Sequence, residues 1–275
     1  MGGFIWLPAV ASILLSLVAW DGIGGIQQMR FVGLGNYADL LTIHPTFWRA
    51  IANGLIWLAG LGLVATPLGV LFAVLLDRRM RGSAFYESAL YLPVVLSLAL
   101  VGFIWQLQYA PEQGFLNQLL GRTTQGQLID WLGDREINIW AALVAGGWRH
   151  VGYITLLYLA GLRSADPTLR EAAAMDGATE WQAFRWVTLP VLRPVNVVIV
   201  VVTAIEALRA FDIPWVINRG QNGLELLSTI VANGLLGEAT RVGYASAAAT
   251  ILLLLSVVPI ALYLRRALRG DSGAA

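Results

Sequence analysis

The sequence predicts an all-α integral membrane protein of six transmembrane helices with both termini cytoplasmic. Three observations carry this. Of the 275 residues 57% are hydrophobic and 13% charged, with a mean hydropathy of +0.68, whereas an ordinary soluble domain carries about 25% charge. Six apolar stretches, at residues 4–20, 48–76, 85–108, 137–162, 195–216 and 242–264, approach or exceed the roughly 20 residues that cross a bilayer. The arginines, finally, divide unevenly between the two sets of connecting segments.

Each stretch reads as helix because none alternates with a period of two and a hydrocarbon core admits only helices or closed barrels. The first stretch is short for a span and begins next to Met1. It lacks a positive n-region and a small-x-small cleavage site, which argues against a signal peptide. The expectation is a span whose start is truncated or misassigned. All 18 basic residues are arginine. Ten of them, Arg78, Arg79, Arg81, Arg163, Arg170, Arg185, Arg193, Arg265, Arg266 and Arg269, fall in one set of segments. Six, Arg30, Arg49, Arg122, Arg135, Arg219 and Arg241, fall in the longer opposite set. The positive-inside rule places the first set in the cytoplasm. The turn at 77–83 and the segment 163–194 then face inward, and the outer loops carry 33–37, 121–131 and 220–237. The whole chain, 1–275, reads as one domain, with a low-complexity tail at 270–275 expected to be disordered.

Composition excludes several functions. Cysteine is absent, so disulfides and thiolate metal sites are excluded. The two histidines, His44 and His150, are too few for a histidine-rich metal site. A net charge of +1 gives no electrostatic footprint for nucleic acid. A membrane enzyme would need a nucleophile–base pair or a carboxylate–histidine cluster at one depth, and His150 has no second histidine near it. His44, before Pro45 in an outer loop, reads as a solvated turn residue.

The longest inward connection, 163–194, has its own grammar. Asp166 is a natural N-cap and Pro167 suits a first helical turn. Leu169, Ala172, Ala173 and Met175 form a short apolar face, and Gly177 ends or bends the helix. Trp181, Phe184 and Val187 recur at helical spacing and predict a second short helix, which Pro190 stops before the next span. Two readings stand side by side: a rigid knob whose small residues, Ala172 to Ala174, admit a partner backbone, or a helix pair lying on the membrane surface.

Glu171-Ala-Ala-x-x-Asp176-Gly177-Ala, followed by Phe184-x-x-Val187-x-Leu189-Pro190-x-x-x-Pro194, resembles the EAA loop of bacterial ABC importer permeases. The spacing is similar to that of the carbohydrate-uptake family that includes maltose-type permeases. Phe31-Val-Gly-Leu-Gly-Asn-Tyr37, Tyr91-Leu-Pro93, Gly114-Phe-Leu-Asn117, Leu159-Ala-Gly-Leu162, Phe211-Asp212 and Gly243-Tyr-Ala-Ser-Ala247 resemble the same family in order. The resemblance implies that Glu171, Ala172, Ala173, Asp176 and Gly177 contact an ATPase. It also implies a second homologous permease subunit, two ATPase subunits that bind the ATP and Mg, and an extracellular solute-binding lipoprotein. This chain itself would hold no cofactor, and it has no GxxxxGK[ST] phosphate loop. The implied location is the bacterial cytoplasmic (inner) membrane, and the implied cargo a sugar or oligosaccharide. A polyol, glycerol phosphodiester or other organic solute is the alternative. One departure is the stretch Asn218-Arg-Gly-Gln-Asn-Gly223, where the family carries Thr-x-Gly-Gly-Pro.

Charged groups inside the spans are the candidate solute contacts. Arg149 and His150 lie in the fourth stretch, Glu206 and Arg209 in the fifth. A charge at the bilayer centre costs roughly 2.5–3.5 kcal/mol on insertion scales, so such groups face a partner or a polar cavity. Arg149 and Glu206 lie equally far, in residues, from the inner ends of their spans, and at 1.5 Å per residue the two are level. They form either a packing ion pair or part of a polar sugar cavity. Arg149, His150, Tyr153, Thr203, Glu206 and Arg209 are the expected substrate contacts, with Trp105, Trp148 and Tyr153 as candidate ring faces. The resemblance places sugar contacts near Gly146, His150, Thr203, Ala207 and Ala210, with Val94 and Leu98 as apolar counterparts on the third span.

Overall fold

The computed structural model describes residues 2–78, 82–237 and 240–269. Arg79 and Arg81 of the expected inner turn, and the tail at 270–275, lie outside the described residues. The described chain is built almost wholly from helices. Helix α1 (Gly2–Leu15) leads into a two-residue antiparallel ribbon, β1 (Val18–Ala19) with β2 (Arg30–Phe31), in which Val18 faces Phe31 and Ala19 faces Arg30. Asn36 in α2 (Gly35–Thr42) pins this ribbon by donating to the Ser16 and Val18 carbonyls at 2.8 and 2.9 Å.

The next rod runs unbroken from Phe47 to Asp77, 31 residues, as α3 (Phe47–Ala59), a wider π-helical turn (Gly60–Ala65) and α4 (Thr66–Asp77). Pro67 explains the turn. It has no N–H for the Leu63 carbonyl four residues earlier, and its ring crowds that carbonyl. The helix absorbs the defect by widening for one turn, as π-bulges do. The same device recurs later: α10 (Glu180–Ala183) passes through a π-turn (Phe184–Thr188) into α11 (Leu189–Val191), which contains Pro190. Pro190 is expected to stop this helix before the next span, and the helix does end one residue past it, at Val191, the π-turn absorbing the missing N–H.

The expected third stretch is two helices, α5 (Ser83–Val95) and α6 (Leu98–Gln108), bent by 104°. Leu96 and Ser97 are extended, and the Ser97 hydroxyl accepts from the Leu100 N–H at 3.2 Å, capping α6. A short α7 (Phe115–Leu119) sits in the following loop. Asn117 organises that loop by donating to the Pro111 and Ile129 carbonyls, both at 2.9 Å, and accepting from the Trp131 indole at 3.2 Å. Helix α8 (Asn138–Ser164) is the spine, with α4 on one side, α5 and α6 on another, and α12 (Arg193–Leu208) across it. Gly152 makes this possible: a Cβ there would stand 2.1 Å from the Leu90 carbonyl of α5. Glycine at a helix contact lets backbones approach closely.

Between α8 and α10 lies α9 (Thr168–Met175). After α12 the chain breaks at Arg209–Phe211 and resumes as α13 (Asp212–Asn218). The stretch expected as the third outer loop contains a helix of its own, α14 (Leu227–Leu236), packed on α15 (Val242–Arg269). Three apolar clusters fill the interior. One surrounds Trp57, Val101, Ala145 and Ile213, a second Ala73, Tyr158, Leu162 and Ile199, and a third Leu40, Phe47, Ile230 and Ala247. Large apolar side chains also cover the outside, Leu63, Val95 and Leu236 among them, the reverse of what a water-facing surface carries.

Among the described residues two helices are long and apolar enough to cross a membrane, Phe47–Asp77 and Val242–Arg266, and up to four spans result if each bent pair counts as one. The difference from six has physical causes. Helix α8 carries Arg149 and His150, which depress its hydropathy, and the apolar part of α1 is short, at Trp6–Leu15. The fifth stretch, Arg193–Asn218, counts only together with Glu180–Val191, from which it is bent by 78°.

Candidate solute cavity and the inner loop

A cavity of about 240 Å³ opens between Trp57 and Leu61 of the first long rod, Leu98 of α6, Gly146 and Arg149 of α8, and Glu206 and Arg209 at the end of α12, with Asp212 beyond it. Arg209, Phe211, Asp212 and Pro214, at and just beyond the interruption between α12 and α13, line this end of it. Arg149 and Glu206, which the depth count brings level, meet at 3.3 Å. The second carboxylate oxygen of Glu206 lies 2.7 Å from His150 Nδ1. His150 is 1% exposed. Its Nε2 lies 3.1 Å from the Thr66 hydroxyl and 3.2 Å from that of Thr203, and the two hydroxyls are 3.2 Å apart. Five polar side chains from α4, α8 and α12 thus form one connected group in an otherwise apolar interior.

Two guanidinium groups at the cavity carry donors that no described residue accepts. Arg149 Nε is buried without a hydrogen-bond partner. Arg209 is exposed at that end of the cavity and makes no ion pair among the described residues. The Arg149 guanidinium nevertheless donates to Glu206 at 3.3 Å, so the spare donor capacity at the site lies on Arg149 Nε and on Arg209.

Of the residues singled out from sequence, Arg149, Glu206 and Arg209 line the cavity, and so do Leu98, Gly146 and Ala210. His150 and Thr203 stand behind them, buried. Tyr153 is partly buried against the second apolar cluster, away from the cavity. Trp105 and Trp148 stack edge-to-face at 6.0 Å and do not line it. The aromatic lining is Phe211 and Trp57, whose ring packs so closely on Gly146 that a Cβ there would lie 2.8 Å from it. Sequence reasoning passed over Trp57 and Thr66. Nothing in the apolar periodicity marks Trp57 among its neighbours. A hydroxyl immediately before a proline, inside an apolar run, was the available signal for Thr66.

The segment 163–194 forms two short helices joined at Gly177, which has φ +80°. Asp166 accepts from the Thr168 N–H at 2.9 Å, and that bond holds its carboxyl below the usual value. Thr179 and Gln182 form a reciprocal capping box at the start of α10. Glu171, Ala172, Asp176 and Gly177 are exposed and Ala173 partly so; no residue of α9 is buried, and Met175 is 89% exposed. Ion pairs lash the segment to its neighbours: Arg170 to Asp77 at 2.5 Å, Arg78 to Glu180 at 2.6 Å and Arg163 to Glu87 at 2.6 Å. Among the described residues no group of three His, Asp or Glu side chains is placed to hold a metal ion. His44, expected as a solvated turn residue, is half-buried, stacks on Tyr244 at 5.8 Å and accepts from the Thr46 N–H.

Residues 4–269 match the family described as binding-protein-dependent transport system inner membrane components. The chain belongs to that family. It is thereby the inner-membrane permease component of an ABC importer, in which the ATPase is a separate subunit. The permease is 33% identical over 276 residues to a probable ABC transporter permease protein of Pyrococcus horikoshii, covering 98% of this chain and 92% of that one. It is 31% identical over 220 residues to the trehalose/maltose transport system permease protein of Thermococcus litoralis, covering 80% and 73%. Its fold is that of a chain in the crystal structure of a bacterial ABC transporter involved in import of the acidic polysaccharide alginate. The TM-score is 0.80 at 22% identity, over 97% of this permease and 90% of that chain.

Proposed function

We propose that this permease carries a sugar or oligosaccharide, delivered by an extracellular solute-binding lipoprotein, through a path that includes the cavity at Arg149, Glu206 and Arg209. The observation that carries the reading is the composition of that cavity: guanidinium donors, carboxylate acceptors and the Trp57 ring facing one space. Hydroxyl-rich rings need such alternating donors and acceptors with an aromatic wall. The likeness to a trehalose/maltose permease supports it. The working assembly contains a second homologous permease subunit and two ATPase subunits that bind ATP and Mg. Six spans, at 4–20, 48–76, 85–108, 137–162, 195–216 and 242–264, with both termini cytoplasmic, put the segment 163–194 on the ATPase side. Its exposed Glu171, Ala172, Ala173, Asp176 and Gly177 then form the coupling contact. The three ion pairs around it support that reading, because a loop that transmits force needs anchoring to the helices it moves.

The free donors on Arg149 and Arg209 favour a second reading, an organic solute with an anionic group such as a glycerol phosphodiester. A ligand screen of the cognate binding protein, followed by uptake into vesicles carrying the assembled transporter, separates the two. Retention and ATP-dependent uptake of neutral oligosaccharides supports the first reading. Selective uptake of glycerophosphodiesters replaces it with the second, and uptake of neither removes both.

A further inference from the structure

The chain places His150 where a solute contact is expected, yet its ring is 1% exposed and both of its nitrogens are engaged by protein. We infer that His150, with Thr66 and Thr203 behind it, is a positioning residue that aims Glu206 into the cavity. It touches no solute. The inference rests on the cavity's being part of the solute path, although its test does not.

The chemistry of the contacts sets the roles. A carboxylate only accepts, so His150 Nδ1 carries the proton in the 2.7 Å contact with Glu206. On the far side, Nε2 and the hydroxyls of Thr66 and Thr203 form a triangle with edges of 3.1, 3.2 and 3.2 Å. A hydroxyl both donates and accepts, so the triangle fixes the ring plane whether or not Nε2 also carries a proton. With the ring plane fixed, Glu206 Oε2 is held, and the carboxylate presents its other oxygen to Arg149 at 3.3 Å beside the cavity. Glu206 alone sits in the last turn of α12 at 30% side-chain exposure and has several rotamers open to it. Behind a charged group, a buried imidazole held from its other nitrogen is the arrangement that orients the group in front.

Thr66 takes its place because of the π-turn before it. The hydroxyl arrives from a third helix, so the triangle ties α4, α8 and α12 at one level. Substitutions separate the two arms of His150. An asparagine amide nitrogen overlays Nδ1 and keeps the Glu206 contact. A glutamine amide overlays Nε2 and keeps the threonine contacts while losing Glu206.

The test uses infrared difference spectroscopy on the purified, solute-free transporter complex. Subtracting the spectrum of a Glu206→Gln complex isolates the Glu206 carboxylate bands. In a His150→Gln complex these bands should shift by more than their half-width, and in a His150→Asn complex they should stay in place. Unchanged bands in His150→Gln, or equal shifts in both variants, would overturn the inference. Should His150→Gln fail to assemble, the near-isosteric Thr66→Val/Thr203→Val pair frees the ring on its far side. Shifted or split Glu206 bands there support the positioning role, and unchanged bands overturn it. Neither readout needs transport, so failure of the sugar reading in an uptake assay leaves this result intact.

Discussion

Arg170 of α9 meets Asp77, the last residue of α4, at 2.5 Å, and the next residue, Arg78, reaches across to Glu180 of α10 at 2.6 Å. Both halves of the inner loop are thus tied to two consecutive residues at the end of one helix. Eleven residues up that helix, about 16 Å at 1.5 Å per residue, Thr66 joins the polar group behind the cavity. A straight rod connects the surface proposed for the ATPase with the site proposed for the solute.

The tie to α9 is testable by hydrogen exchange. The Arg170–Asp77 side chains are 38% and 15% exposed, a geometry in which a pair contributes about 1 kcal/mol or less. In Arg170→Ala, amides of residues 168–177 should exchange up to about five-fold faster, since local opening sets their protection. The charge-reversed pair, Arg170→Asp with Asp77→Arg, should recover most of the protection.

Gly177 allows a sharper test. A Cβ there would meet nothing within 4 Å, so only its φ of +80° resists substitution. A β-branched side chain pays about 1–2 kcal/mol for that conformation, whereas asparagine adopts it more readily. Gly177→Val should insert normally in the membrane and lose binding-protein-stimulated ATP hydrolysis, with Gly177→Asn retaining most of it. Equal stimulation in both variants would show that the hinge shape is irrelevant to coupling.

At the cavity, Glu206→Ala should be worse than Arg149→Ala. Removing the carboxylate strands the buried His150 Nδ1–H as well as Arg149, at about 1–3 kcal/mol per orphaned group. The reciprocal swap, Arg149→Glu with Glu206→Arg, should not rescue assembly, because it sets a guanidinium against His150. Size-exclusion yield of the complex reads out both statements.

Gly152→Ala probes the helix contact. The added methyl would run into the Leu90 carbonyl, a backbone atom that no rotamer change can move. Overpacking of this kind costs about 1–3 kcal/mol or more. The expected result is a lower thermal midpoint of the complex, with Gly161→Ala milder because its obstacle is the Val195 side chain.

What the sequence discloses here is what chain-local chemistry decides. Asp166, Gly177 and Thr179 act within three residues of themselves, so their spacing is enough to place α9 and α10. The level of Arg149 and Glu206 follows from the fixed rise of a helix. Azimuth is another matter. Whether His150 faces the cavity or the protein, and whether Trp57 rather than Trp148 forms the wall, depends on how neighbouring helices rotate against α8, which hydropathy does not encode. The 104° bend at Ser97 was hidden for a related reason. A single capping serine inside an apolar run looks like tolerated polarity until the extended backbone at Leu96 is seen. Helix α14 was missed because its surroundings, rich in glycine and asparagine, read as loop.

The π-turn at Gly60–Ala65 has an arithmetic consequence. Its wider ring accommodates roughly one residue more than an α-helical path would, so it works as a phase shifter: every side chain beyond it is rotated by about 100° about the axis, one residue's share of a 3.6-residue turn. Thr66 and Asp77 both lie beyond it, one reaching His150 and the other Arg170. Trimming a single residue from that turn would leave the rod's length and greasiness almost untouched. It would nonetheless swing Thr66 and Asp77 out of register at once, so that a one-codon deletion beside the cavity would also be felt at the far end of the rod.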